Sequence, residues 1–371
     1  MHKWDLDTPA LLVDYAVLER NVERMGRLAR VAGKALRPHV KTHKTREIAE
    51  LQMKHGASGI TVAKVSEAEV MLSEGFSDIL LANEIIGTTK ADRVARLAAK
   101  ARITVAVDSS LGIAQLAEAT RCHGSELDVL IDLNTGGGRC GVPVEGDEAA
   151  VLADRISVTP RLRLAGLMTY EGHVYKATSR EQVESIAAEV GELLLRQAEA
   201  LAGSGYDVSV VSAGSTVSAQ YLVRCPAASE IRPGTYVFND VNEIRMGVAE
   251  IEDCALTVLA TVISGPRDGR VVLDAGSKSL SSDRAVGGFR LGPPGGYGLV
   301  KSMSEATIVE LNEEHAIVSL AAESREVRLG SKLELVPNHA CTAVNLHDHM
   351  SVVDGEEVRG RWAVVARGKS Q

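Results

Sequence analysis

Short apolar runs alternate with amphipathic stretches through the first two-thirds of the chain. The runs are "KALRP" (34–38), "GITVA" (59–63), "DILLA" (78–82), "ITVAVD" (103–108), "LDVLIDL" (127–133), "LRLAGLMT" (162–169), "VSVVSAG" (208–214) and "SEIRPG" (229–234). Between them lie stretches such as "YAVLERNVERMGRLARVAG", "SEAEVMLSEGF", "ADRVARLAAKA" and "SREQVESIAAEVGELLLRQAEALAGSG". Apolar residues there recur three and four positions apart, the period of a helix with one buried face. Eight strand–helix units predict a (β/α)8 TIM barrel over residues 20–245. A doubly wound open sheet is the alternative. From about residue 250 the pattern becomes alternating strands punctuated by Gly, Asn and Asp, as in "CALTVLATVISG", "GRVVLDAGS" and "ATIVELNEEHAIVSL". That half predicts a mainly antiparallel β domain over 246–371. The N-terminal "TPALLVD" precedes the first long helix and is expected to join it, so residues 1–19 belong with the second domain and the barrel is inserted between.

Composition narrows the class. The 371 residues are 45% hydrophobic and 3% aromatic, so Leu, Val, Ile and Ala must fill the cores. A net charge of −8 argues against a nucleic-acid surface, although one local positive site would still hold an anion. No apolar run approaches the ~20 residues of a membrane span. The N-terminal "MHKWDLDTPALLVD" has no secretory pattern. Five cysteines without regular spacing do not suggest a disulfide framework. A cytoplasmic protein acting on a small molecule is expected.

In a barrel, chemistry collects where strands end at their C-terminal side. The first predicted strand ends in "RPHVKTHK", which sets His39, Lys41, His43 and Lys44 close together. A lysine reaching into a barrel mouth can form a Schiff base when burial lowers its pKa; a solvated basic loop is the plainer reading. The seventh strand ends in "SAGST", where Gly214, Ser215 and Thr216 offer N–H and hydroxyl donors to an anion. The eighth ends in "RPGTY", with Gly234 and Thr235 in a second such turn. Adjacent turns after strands seven and eight are where barrels bind phosphate. Phosphate together with an amine is what pyridoxal 5'-phosphate requires. In "VPNHACTAVNLHDH", His339 and Cys341 are spaced to share one face of an extended segment, which suits imidazole and thiolate ligands on zinc. His347 and His349 compete for that role, and Asp348 is either a third ligand or a turn residue.

The ordered set "LDTPALLVD", "LRPHVKTHK", "GITVAKVSEAEVM", "DILLANEI", "GGGRCGV", "YEGHVY", "SAGST", "RPGTYVFND" and "PNHAC" resembles the D-serine dehydratase and D-threonine aldolase family. These are pyridoxal-phosphate lyases with an alanine-racemase-like barrel and a β domain. The resemblance covers nearly the whole chain. It implies a homodimer, a D-3-hydroxy amino acid as substrate, and Lys41, not Lys44, as the Schiff-base lysine. It also implies Gly214, Ser215, Thr216, Gly234 and Thr235 as the phosphate cradle, with Tyr236 beside the ring and Tyr170 near the pyridine. Arg139 is the basic residue after strand five. His339 and Cys341 are the metal pair, with zinc favoured and manganese or magnesium the alternatives. His-x-Cys is closer to the dehydratase pattern, and the aldolases tend to carry His-x-Asp. The expected reaction is therefore dehydration to a keto acid and ammonia, with retro-aldol cleavage to glycine and an aldehyde as the alternative. His39, His43 and His173 are the candidate bases. A racemase, or a pyridoxal-phosphate carrier or regulatory protein without catalysis, are the remaining readings.

Overall fold

The computed structural model describes residues 1–290, 296–320 and 327–371. Eight parallel strands form one closed cycle: Ala35–Leu36, Glu230–Ile231, Val210–Ala213, Leu162–Thr169, Leu127–Asn134, Arg102–Val107, Asp78–Leu81 and Ile60–Val62. Bridges from Leu36 to Ala57 and from His39 to Thr61 join the last to the first. The expected barrel is therefore present, and the open sheet is not. Ala35–Leu36 and Glu230–Ile231 are only two residues long, because Pro38 and Pro233 follow and neither can donate to a ladder.

Helices form where the periodic stretches predicted them, and polar caps set their starts. Asp14 accepts the Val17 N–H at 3.1 Å and opens Tyr15–Val31. Ser179 does the same for Gln182 at the head of Arg180–Gly203. Their apolar faces pack on the strands in a core of Leu, Ile, Val and Ala, among them Ile60, Ile79, Ile103, Val129 and Leu167. A smaller cluster, Leu80, Ala106, Leu130, Ala165 and Met168, fills the barrel itself. Gly166 marks a bulge there. Its φ is 145°, and a Cβ would lie 1.8 Å from the Val210 carbonyl oxygen, so only glycine lets these two strands approach.

The second sheet runs Arg270–Leu273, Ala316–Ser319, Met303–Leu311, Gly298–Val300, Lys332–Pro337, Leu256–Arg267, Ala10–Asp14, His349–Asp354 and Glu357–Ala363. Arg270–Leu273 also pairs Leu256–Arg267, which curls most of the sheet into a closed barrel. Ala10–Asp14 lies antiparallel to Leu256–Arg267 and parallel to His349–Asp354, so the chain's first strand is built into its last domain. The two lobes share a core. Tyr236, Val237 and Phe238, just past the barrel's last strand, pack with Leu11, Val258, Leu335 and Val344. Burying Phe238 alone contributes about 2–3 kcal/mol. No helix among the described residues is long and apolar enough to cross a membrane.

Candidate active site

A cavity of about 740 Å³ lies at the C-terminal mouth of the parallel barrel, walled on one side by the second lobe. His39, Lys41, Arg139, Tyr170, Gly214, Ser215, Thr216, Gly234, Thr235, His339 and Cys341 all line it. Residues from six places in the sequence thus meet in one space.

Lys41 sits in the single turn Val40–Thr42 beyond the first strand. Burial pulls its pKa down; Cys341 and Glu67 oppose that, while Arg139 and Arg232 add to it. Lys44 is engaged elsewhere, 2.9 Å from the Asn345 amide oxygen and 3.3 Å from Glu67. Of the two lysines only Lys41 faces the cavity. His39 is held neutral, by burial first and then by Lys41, Arg232 and Arg139. Its Nδ1 is buried without a partner among the described residues.

The turns after the seventh and eighth strands are tied together. Gly234 packs so tightly on the Lys41 turn that a Cβ would lie 2.8 Å from the Thr42 hydroxyl. The Tyr236 N–H donates to the Thr216 hydroxyl at 3.0 Å. Beneath them the buried Glu171 carboxylate accepts the Gly214 N–H at 3.2 Å and the Ser218 hydroxyl. The Ser215 N–H donates to that same Ser218 at 2.8 Å. Gly214 and Ser215 therefore use their N–H groups to build the turn. The N–H groups of Thr216, Gly234 and Thr235 keep no protein acceptor among the described residues. Free N–H and hydroxyl donors converging at a barrel mouth fit a phosphate. Arg232, 5% exposed, donates from Nη2 to the Thr169 carbonyl at 2.6 Å, and its Nη1 has no partner among the described residues. A buried guanidinium with a spare N–H fits a ring heteroatom of a bound cofactor. Arg139 lies 4.4 Å over the Tyr170 ring, on a glycine loop held by the Asn134 side chain.

His339 and Cys341 enter from the second lobe. Cys341 Sγ lies 3.3 Å from the Thr42 hydroxyl and 3.9 Å from that of Thr235. His339 Nδ1 is 3.2 Å from Asp283. Burial would raise the Cys341 thiol, but His339, the Thr42 hydroxyl and Lys41 together hold it below its ordinary value. His339 is pushed up to about 11, Cys341 and Asp283 overcoming the effect of burial. The two shifts run in the directions that favour a thiolate beside a protonated imidazole, and both groups must give up their protons to ligate a cation. No group of three His, Cys, Asp or Glu side chains gathers around a metal position among the described residues. The competitors point elsewhere: His347 Nε2 meets the Ser279 carbonyl at 2.9 Å, Asp348 pairs with Arg367, and His349 is exposed on a strand.

Three expected site residues do not line the cavity. His43 is fully buried; it accepts the Thr45 N–H on Nδ1 at 3.1 Å, and Nε2 lies 3.2 Å from the Gln52 amide oxygen. Tyr236 belongs to the shared core, its hydroxyl 3.0 Å from the Gln52 amide nitrogen. His173 packs behind the glycine loop, 3.4 Å from the place a Cβ on Gly136 would take. Conversely, Arg232, Tyr175, Asp240, Asn242 and Glu243 line the cavity without having been singled out. Asp240 and Glu243 form the capping pattern D-x-x-E, a signal readable in the sequence.

Residues 13–241 match the family model "Alanine racemase, N-terminal domain", and 255–353 match "Putative serine dehydratase domain". A D-threonine aldolase of Arthrobacter sp. is 36% identical over 99% of this chain and 94% of its own. The crystal structure of D-threonine aldolase from Filomicrobium marinum superposes with a TM-score of 0.92 at 34% identity, covering 99% and 98% of the two chains. D-threo-3-hydroxyaspartate dehydratase from Delftia sp. HT23 gives 0.89 at 31% identity, covering 98% of each. Solved forms of that dehydratase include a cysteine variant in the metal-free form and a variant of the histidine two positions before it.

Proposed function

The chain belongs to the D-serine dehydratase and D-threonine aldolase family, pyridoxal-phosphate lyases that act on D-hydroxy amino acids, and we propose that its own reaction is dehydration, releasing a keto acid and ammonia. The observation that carries this reading is the His339–Cys341 pair lining the cavity beside the Lys41 turn, with Cys341 Sγ 3.3 Å from the Thr42 hydroxyl. The same two residue types at the same spacing are varied in solved forms of the Delftia dehydratase, and its cysteine variant is solved in a metal-free form.

Lys41 would hold the cofactor's aldehyde carbon, Arg232 a ring heteroatom, and Thr216, Gly234, Thr235 and Ser215 its phosphate, with Tyr170 and Arg139 at the ring's margin. When bound, the cofactor supplies an electron sink for negative charge at Cα. Lys41, an amine of lowered pKa facing the cavity, would be suited to take the α-proton. His339 and Cys341 would hold a divalent cation, zinc before manganese or magnesium on ligand softness, which supplies Lewis-acid polarisation of the β-oxygen. Two protein donors, the number found among the described residues, would leave such a cation open positions, as a catalytic site needs. His39, neutral and against Lys41, is placed to orient; His43 and His173 are assigned structural roles. The barrel lobe is taken as 20–245 and the β lobe as 1–19 with 246–371. The assembly is proposed as a homodimer, which sedimentation of the holoenzyme tests.

The reaction is tested by incubating holoenzyme with D-serine. Stoichiometric pyruvate and ammonia are expected; turnover of D-threonine to glycine and acetaldehyde with none of D-serine would replace dehydration by aldol cleavage.

A further inference from the structure

Glu243 lines the cavity and is 1% exposed. Two contacts fix it. Its helix, Val241–Arg245, is capped by Asp240, whose Oδ1 accepts the Glu243 N–H at 3.1 Å. Asp240 Oδ2 accepts the N–H of Ala340, the residue between His339 and Cys341, at 2.8 Å. The segment with the metal pair and the helix with Glu243 are thus pinned to one side chain. The Tyr175 hydroxyl then donates to Glu243 Oε1 at 3.0 Å, and Oε2 is buried with no partner among the described residues. Because Oε1 already accepts from the phenol, a proton on this carboxyl resides on Oε2.

We propose that Glu243, oriented by Tyr175, is the acid that protonates the departing β-hydroxyl, so that none of the three histidines performs that transfer. The inference rests on the dehydratase reading. As the Cβ–O bond breaks, its electron pair goes to oxygen, and the Glu243 proton joins that oxygen to make water. The pair left at Cα when Lys41 takes the α-proton becomes the Cα=Cβ bond. Lys41 ends protonated and Glu243 ionised, and one proton passed between them through water restores both. Burial first and then the neighbouring Asp240 push the Glu243 carboxyl well above its ordinary range, the direction that favours the acid form. Burial raises the Tyr175 phenol as well, so it remains a donor.

The test compares two leaving groups. Hydroxide needs a proton to depart and chloride does not. Glu243→Gln holoenzyme should lose about 100-fold or more in kcat on D-serine, while β-chloro-D-alanine elimination falls less than about tenfold. Tyr175→Phe should show the same asymmetry, smaller in size, and serves if Glu243→Gln folds poorly. An infrared difference spectrum of wild type minus Glu243→Gln should contain the carbonyl stretch of a protonated acid. Equal losses on both substrates, no loss on D-serine, or no such band would overturn the assignment. Wild type that eliminates chloride but never yields keto acid from D-serine contradicts the dehydratase reading itself, and this inference falls with it.

Discussion

Lys41 and Lys44 are three positions apart and have different fates. One faces the cavity; the other is held by Asn345 and Glu67. Lys41→Ala should abolish the visible absorption of bound cofactor, and Lys44→Ala should keep it; the reverse would reassign the site. His43 makes the opposite point. It came under notice for its place in a cluster of bases, yet its ring is consumed by Thr45 and Gln52, and burial holds its pKa at about 4. The folded pKa lies below the unfolded one, so the neutral ring's stability is complete above about pH 6.5 and drains away as pH falls toward 4. Roughly 3 kcal/mol is at stake across that window. Urea titrations should show this slope in wild type and its loss in His43→Gln; an unchanged slope would contradict the assignment. A sequence lists imidazoles, but only packing tells which one has a free nitrogen.

At the scale of elements, the barrel was legible because eight short apolar runs and the helical periods between them follow directly from side-chain burial. The turns that line the cavity after strands seven and eight were legible too, since small and hydroxylated residues end those strands. Their support was not. Glu171 comes from "YEGHVY", 43 positions before Gly214, and nothing local indicates that it underlies that turn. Arg232 was hidden differently: it opens the "RPGTY" run, where attention goes to the glycine, and only the closed barrel shows that its charge is buried. Glu171→Gln replaces a carboxylate acceptor of two hydrogen bonds with an amide. The account predicts a cofactor Kd about 10–100-fold weaker by fluorescence titration, with secondary structure retained. Unaltered affinity would show that the turn stands without it.

The whole molecule joins two lobes across one cavity. His339 and Cys341 are 298 and 300 positions from Lys41, and the sequence suggested their spacing but not what they would face. The shared core around Phe238 and the Lys44–Asn345 contact bring them to the barrel mouth. Cys341→Ala should lose the bound metal while keeping cofactor absorption, since the cradle lies wholly in the other lobe; unchanged metal stoichiometry would make the pair structural. The central claim is that this mouth breaks a Cβ–O bond and leaves the Cα–Cβ bond intact. D-Threonine offers both bonds to the same enzyme, so the products of that single substrate decide between them. The account predicts 2-oxobutanoate and ammonia in equal amounts, and glycine with acetaldehyde as the dominant products would contradict it.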